Sequence, residues 1–141
     1  MIDSNIIKID KLSYPNVSRE TLKELEDYTK EIINRNKDIN LISKKTENSI
    51  KTRHILDSAQ TIDFINKKDI NICTDLGSGA GLPGIVLSIL MKSKNPVFKL
   101  IFYEKSYHKS VFLKKMSKKF NFFIFFKNHG YIVFKIQKCF T

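Results

Sequence analysis

Four of the five glycines in this 141-residue chain fall within eight positions, at Gly77, Gly79, Gly81 and Gly84. One acid precedes them, Asp75, and another, Glu104, follows 20 residues after Gly84. Glycine permits backbone conformations and close approaches that side chains forbid, so such a run suits a turn that wraps a ligand at the start of a helix. Gly79-Ala80-Gly81-Leu82-Pro83-Gly84 matches G-x-G-x-x-G, and the later acid completes the dinucleotide fingerprint. A nicotinamide-dependent oxidoreductase is one reading of these residues.

Asp75 argues for another ligand. It closes a short β-prone run and stands ahead of an additional glycine, giving D-x-G-x-G-x-G. A pyrophosphate seated on the helix N-terminus would lie near that carboxylate, where like charge is unfavourable. A ligand with cationic groups fits better. S-adenosylmethionine carries a sulfonium, an ammonium and an adenosine with ribose hydroxyls. On this reading Gly77 and Gly79 let the backbone approach the methionine part. Asp75 sets the local negative potential, and Glu104 accepts hydrogen bonds from the ribose.

These residues need elements to position them. Asn71–Leu76 reads as a strand ending at the first acid. Pro83 suits the first turn of a helix, which Ile85–Met91 continues. Val97–Tyr103 reads as a second strand ending at Glu104, and His108–Phe120 as a helix with Phe112, Met116 and Phe120 on one face. Strand, glycine turn, helix, strand, helix is the opening of a parallel, right-handed α/β sheet. Upstream, residues 18–39 predict an amphipathic helix capped by Ser18, with Leu22, Leu25, Tyr28, Ile32 and Ile39 near helical spacing. A loop over Asn40–Lys45 leads to a second helical stretch from Thr46 to Ile65, with Ile50, His54, Ser58, Ile62 and Ile65 on one side. The polar Asn66–Asp69 marks a soft boundary. The expected organisation is an N-terminal helical segment over 1–69, the first half of a cofactor-binding domain over 70–120, and a divergent tail over 121–141. In the tail, Phe122–Phe126 and Tyr131–Ile136 are candidate strands.

Charge is uneven. The net is +11, yet residues 1–70 hold 13 bases and 12 acids, whereas residues 71–141 hold 12 lysines and only Asp75 and Glu104 as acids. A basic half suggests an anionic partner, nucleic acid first. The rival explanation is codon bias, because Lys, Ile, Asn and Phe make up 64 of the residues and all have AT-rich codons. Two surviving acids in so lysine-rich a stretch ask for a reason, and the glycine turn supplies one. Cys73 and Cys139 have no C-x-x-C spacing, which predicts a reduced cytoplasmic chain without a disulfide framework or structural zinc. There is no apolar run of membrane-spanning length, and the first residues lack signal-peptide character, so no membrane partner is expected.

Asp75-Leu76-Gly77-Ser78-Gly79-Ala80-Gly81-Leu82-Pro83-Gly84 resembles the cofactor motif of the bacterial small-subunit rRNA methyltransferase G family, also called the glucose-inhibited division protein B family. Asn40-Leu41 followed by Arg53-His54-Ile55-Leu56-Asp57-Ser58 resembles that family's N-L … R-H-x-x-D-S element. Glu104-Lys105-Ser106 followed by Lys109-Ser110-Val111-Phe112-Leu113 resembles its second-strand acid and basic helix. The likeness covers about residues 18–120, in order. It implies an α/β fold, a Rossmann-like methyltransferase sheet preceded by N-terminal helices. It also implies S-adenosylmethionine as cofactor, 16S rRNA or the small ribosomal subunit as partner, and 7-methylguanosine as product. By the same likeness Gly77 contacts the cofactor, Leu82 contacts it from the start of the helix, and Glu104 is the ribose-side acid. It assigns no roles to Arg53, His54 and Asp57. The residues themselves suggest a buried or capped helix histidine for His54 and an ordinary helix ion pair between Arg53 and Asp57, with an RNA-phosphate contact as a second role for Arg53.

The family's adenine-side acidic pair and pocket-bordering arginine have no recognisable counterpart after Asn121. From Phe120 onward the chain holds seven of its eleven phenylalanines and no acid. This departure predicts a truncated or frame-shifted relative, with an incomplete sheet, an unpaired edge and a tail outside the working cofactor site. An inactive remnant of the family is therefore an alternative to an active methyltransferase.

Overall fold

The structure, a computed structural model, describes residues 16–66, 70–121, 123–127 and 131–135. Helix α1 spans Arg19–Arg35. Its N-cap is Ser18, whose hydroxyl accepts from the Thr21 amide at 3.1 Å, as the sequence predicts. Leu22, Leu25, Tyr28, Ile32 and Ile33 form its buried stripe, and Leu25, Tyr28 and Ile32 are sealed from solvent. Each aliphatic side chain so buried contributes about 1.5–3 kcal/mol. The helix stops earlier than expected. Asn36 caps it, and its buried side-chain oxygen accepts from the amides of Leu41 and Ile42 at 2.8 and 3.0 Å, which turns the chain into the following loop.

The stretch from Thr46 to Ile65 is not the single helix the periodicity predicts. It breaks into a 3-10 turn over Lys44–Ser49, a π-helical turn over Lys51–Leu56, and two short α-helices, α2 at Asp57–Gln60 and α3 at Ile62–Asn66. The cause lies in its hydroxyls. Thr46, Ser49, Thr52 and Thr61 each donate to the carbonyl three residues back, offering the backbone an alternative to a regular helical ladder. Burial still follows the expected side in part, with Ile50, Ser58 and Ile65 buried, joined by Ile55 and Ala59.

Strand β1 (Ile72–Leu76), helix α4 (Gly84–Lys94) and strand β2 (Lys99–Tyr103) form a β-α-β unit with parallel strands. The register pairs Cys73 with Leu100 and Asp75 with Phe102. Every residue of α4 from Gly84 to Met91 is buried. A helix apolar all round must be covered on all sides, and α4 packs against β2, α1 and α2. Helix α5 (Tyr107–Lys119) follows, capped by Ser106, with Phe112, Leu113 and Met116 buried and Phe120 buried beyond its end. One continuous hydrophobic core runs through α1, the irregular helical stretch, α4, β2 and α5.

The two strands expected in the tail are present as β3 (Phe123–Lys127) and β4 (Tyr131–Lys135), paired antiparallel, and β4 lies alongside β2. Among the described residues, β1 has β2 as its one ladder partner, and Ile72 and Leu76 are exposed. Apart from Asn121 and these two strands, the tail lies outside the described residues. Also among the described residues, no helix is long and apolar enough to cross a membrane.

Candidate functional site

Because β1 and β2 run parallel, their C-terminal ends meet at one edge, and the glycine turn and Glu104 emerge there side by side. The turn is held to the end of β2. The Tyr103 carbonyl accepts from the amides of Gly77 and Ser78 at 2.9 and 3.0 Å and from the Ser78 hydroxyl at 3.3 Å. The Ser78 hydroxyl also donates to the Asp75 carbonyl at 3.0 Å, and the Gly81 amide closes onto the Ser78 carbonyl at 2.7 Å. Ser78 is buried and its polar groups are satisfied by these bonds.

The glycines divide into two kinds. Gly77, Gly79 and Gly81 all have positive φ, at +70°, +57° and +87°. A Cβ on Gly77 would meet no atom within 4 Å, and one on Gly79 would meet only the Gly77 carbonyl at 3.8 Å. A Cβ on Gly81 would collide with Ile85 and reach Leu113 at 3.0 Å. One on Gly84 would collide with Phe102 and reach Asp75 Oδ2 and Leu100 at 2.7 Å each. Gly81 and Gly84 are therefore needed to pack helix α4 onto the sheet. Gly77 and Gly79 border open space, the arrangement of a backbone cradle.

Both predicted acids are at this edge, and each has a backbone partner that the sequence does not reveal. Asp75 Oδ2 accepts the Gly84 amide at 3.2 Å, so the carboxylate sits on the N-terminus of α4. Burial pushes its pKa up to about 6; the Gly84 hydrogen bond opposes that rise and the Glu104 charge adds to it. Glu104 is buried, with Oε2 accepting from the Gly79 amide at 2.6 Å and Oε1 from the Ser106 amide at 2.7 Å. Each carboxylate oxygen keeps a second lone pair for a ligand hydroxyl. Leu82 is half-buried at the start of α4 and packs against the core.

The residues gathered fit an S-adenosyl ligand. The open space at Gly77 and Gly79 leaves room for a ligand against the backbone. A desolvated carboxylate at Asp75 gains from a nearby cation, and Glu104 lies on the same turn as an acceptor.

The other conspicuous element stands apart from this edge. His54 Nε2 is hydrogen-bonded to the Thr46 hydroxyl at 2.8 Å, and burial lowers its pKa. Half-buried rather than buried, it ties the π-helical turn to the 3-10 turn. Arg53 and Asp57 are both exposed, and among the described residues no ion pair joins them. Long side chains in water gain little from such pairing.

A family model described as GidB, rRNA small subunit methyltransferase G, matches residues 21–126. A protein of Pelagibacter ubique (strain HTCC1062), named ribosomal RNA small subunit methyltransferase G, is 47% identical over 109 residues, which is 76% of this chain and 51% of that protein. A protein of the same name from Rickettsia akari (strain Hartford) is 45% identical over 102 residues, 72% of this chain and 50% of its own length. The chain spans about half the length of the curated relatives it matches.

Proposed function

The chain belongs to the rRNA small subunit methyltransferase G family, and from that premise we propose that it binds S-adenosylmethionine in the glycine turn and serves the formation of 7-methylguanosine in 16S rRNA. The observation that carries this reading is the open cradle at Gly77 and Gly79, bordered by Asp75 and Glu104. The β-α-β unit is read as the opening of a Rossmann-like methyltransferase sheet, with residues 1–69 as an N-terminal helical segment and 121–141 as a divergent tail. The setting proposed for the reaction is the cytoplasm, where the small ribosomal subunit is the partner.

Gly77 and Gly79 hold the methionine part of the cofactor, Asp75 faces its cationic end, Glu104 receives the ribose hydroxyls and Leu82 packs on it from the start of α4. When bound, S-adenosylmethionine supplies an electrophilic methyl group. The acceptor nitrogen of guanine already carries an in-plane lone pair, so the chain need provide no general base. Its contribution is to orient the cofactor against the base and to exclude water. NAD is the weaker fit, because its pyrophosphate would share the N-terminus of α4 with the Asp75 carboxylate.

Complementation of a bacterial strain lacking this methyltransferase tests the reading. Restored 7-methylguanosine in 16S rRNA supports an active enzyme. No restoration by this chain, but restoration once the C-terminal half of a relative replaces residues 121–141, supports the remnant and places the defect in the tail.

A further inference from the structure

Tyr28 carries a connection that neither the glycine motif nor the acids include. Its side chain is sealed from solvent in the middle of α1. Its hydroxyl donates to the carbonyl oxygen of Ala80 at 2.8 Å, across 52 residues of sequence. Ala80 is buried and stands between Gly79 and Gly81, both in the left-handed region. The Tyr28 ring meets Phe120 edge-on at 6.4 Å, which fixes it against the end of α5.

The same helix face is anchored on either side of Tyr28. One turn before it, Glu24 pairs with Lys92 of α4 at 2.7 Å. One turn after it, Glu31 pairs with Lys115 and Lys119 of α5 at 2.7 and 3.1 Å. Helix α1 is thus clamped to the two helices of the α/β unit, and between the clamps it reaches the turn. Burial, with Asp75 nearby, drives the Tyr28 phenol well above its usual pKa, so the hydroxyl remains a protonated donor.

We infer that Tyr28 is a positioning residue for the cofactor cradle: its hydroxyl fixes the Ala80 carbonyl, and through it the peptide planes that aim Gly77 and Gly79 at open space. The helical segment is then part of the cofactor site's construction. The binding arm of this inference rests on the S-adenosyl reading given above; its exchange arm does not.

The test is Tyr28→Phe in the full chain, beside Ile32→Val, which trims another sealed side chain of α1 that carries no hydroxyl. Hydrogen exchange of the ligand-free proteins is compared at the amides of residues 77–81 and at those of α4. Affinity for S-adenosylhomocysteine is measured by calorimetry well below the unfolding transition. Tyr28→Phe is expected to speed exchange selectively at 77–81 and to weaken S-adenosylhomocysteine about 3- to 10-fold, the fold-change that one net hydrogen bond corresponds to. Ile32→Val is expected to change neither selectively. Uniform faster exchange in both variants, with equal affinities, overturns the inference and leaves Tyr28 as ordinary core. If the wild-type chain binds no S-adenosylhomocysteine, the cofactor reading fails while the exchange comparison still decides the tether. Should Tyr28→Phe not fold, Phe120→Leu, which loosens the ring and keeps the hydroxyl, must raise exchange at 77–81 above that of α4. If it does not, the inference is wrong.

Discussion

Gly77→Ala and Gly81→Ala place the same methyl group on two residues of the same backbone hand, so they separate conformational strain from packing. An L-residue in the left-handed region costs about 1–2 kcal/mol. At Gly77, where φ is +70° and no atom lies within 4 Å of the added carbon, that strain is the whole stability cost. At Gly81, where φ is +87°, the methyl also collides with Ile85 and comes within 3.0 Å of Leu113. Both neighbours are sealed core residues with little room to yield, and overpacking adds about 1–3 kcal/mol. Gly81→Ala should therefore be less stable than Gly77→Ala by about 1–3 kcal/mol. With a urea slope of about 1–3 kcal/mol per molar, its midpoint falls lower by roughly 1 M. Cofactor binding should rank the other way. Gly77→Ala puts its methyl into the open cradle and should weaken S-adenosylhomocysteine by about tenfold or more, whereas folded Gly81→Ala should bind within about threefold of wild type. The reasoning is refuted if the two variants unfold at the same urea concentration, or if Gly77→Ala binds like wild type.

Further outcomes follow from the acids and the lysines. Glu104→Ala removes two hydrogen bonds to a charged acceptor, at 2.6 and 2.7 Å. It should lose about 2–4 kcal/mol of stability, and binding by about 1.5–3 kcal/mol through the ribose, read from urea midpoints and calorimetry; normal binding would remove Glu104 from the ribose. Asp75 has its folded pKa raised from 3.8 to about 6, so its contribution favours the fold below about pH 4 and is lost as pH rises through 6. Asp75→Asn should accordingly raise stability at pH 7.5 by about 1–2 kcal/mol after allowing for partial solvation, read as a higher urea midpoint, and do little at pH 4. In the wild type, preference for the sulfonium ligand over uncharged-sulfur S-adenosylhomocysteine should grow as pH rises from 5 to 7, and a flat ratio would count against Asp75 facing the cation. If RNA binds the lysines of 105–119, Lys105→Gln should lower the slope of log affinity against log salt by about 1. Lys115→Gln should lower it less, because Glu31 already neutralises that lysine.

The glycine run, its flanking acids and the β-α-β order were legible because local spacing encodes them. Ser18 was legible as a cap for the same reason. The division among the glycines was not, since only three-dimensional neighbours such as Ile85 and Phe102 distinguish packing from open space. Tyr28 fell within the apolar periodicity of α1 and read as core; no pattern within α1 reveals a hydroxyl partner at Ala80. The Thr46–Ile65 stretch had helical spacing, but its serine and threonine hydroxyls divide it into short turns. Lys115 and Lys119 belong to the lysine-rich half that suggests an anionic partner, and no local pattern reveals that Glu31 of α1 lies beside both.

The most direct test of the cofactor assignment is a calorimetric titration of the purified chain with S-adenosylmethionine, S-adenosylhomocysteine and NAD in parallel at pH 7.5. The open cradle at Gly77 and Gly79 and the carboxylate at the N-terminus of α4 predict saturable binding of both S-adenosyl ligands, weakened by Gly77→Ala, with NAD bound more weakly than either. Tighter binding of NAD, or S-adenosyl binding indifferent to Gly77→Ala, would contradict the assignment.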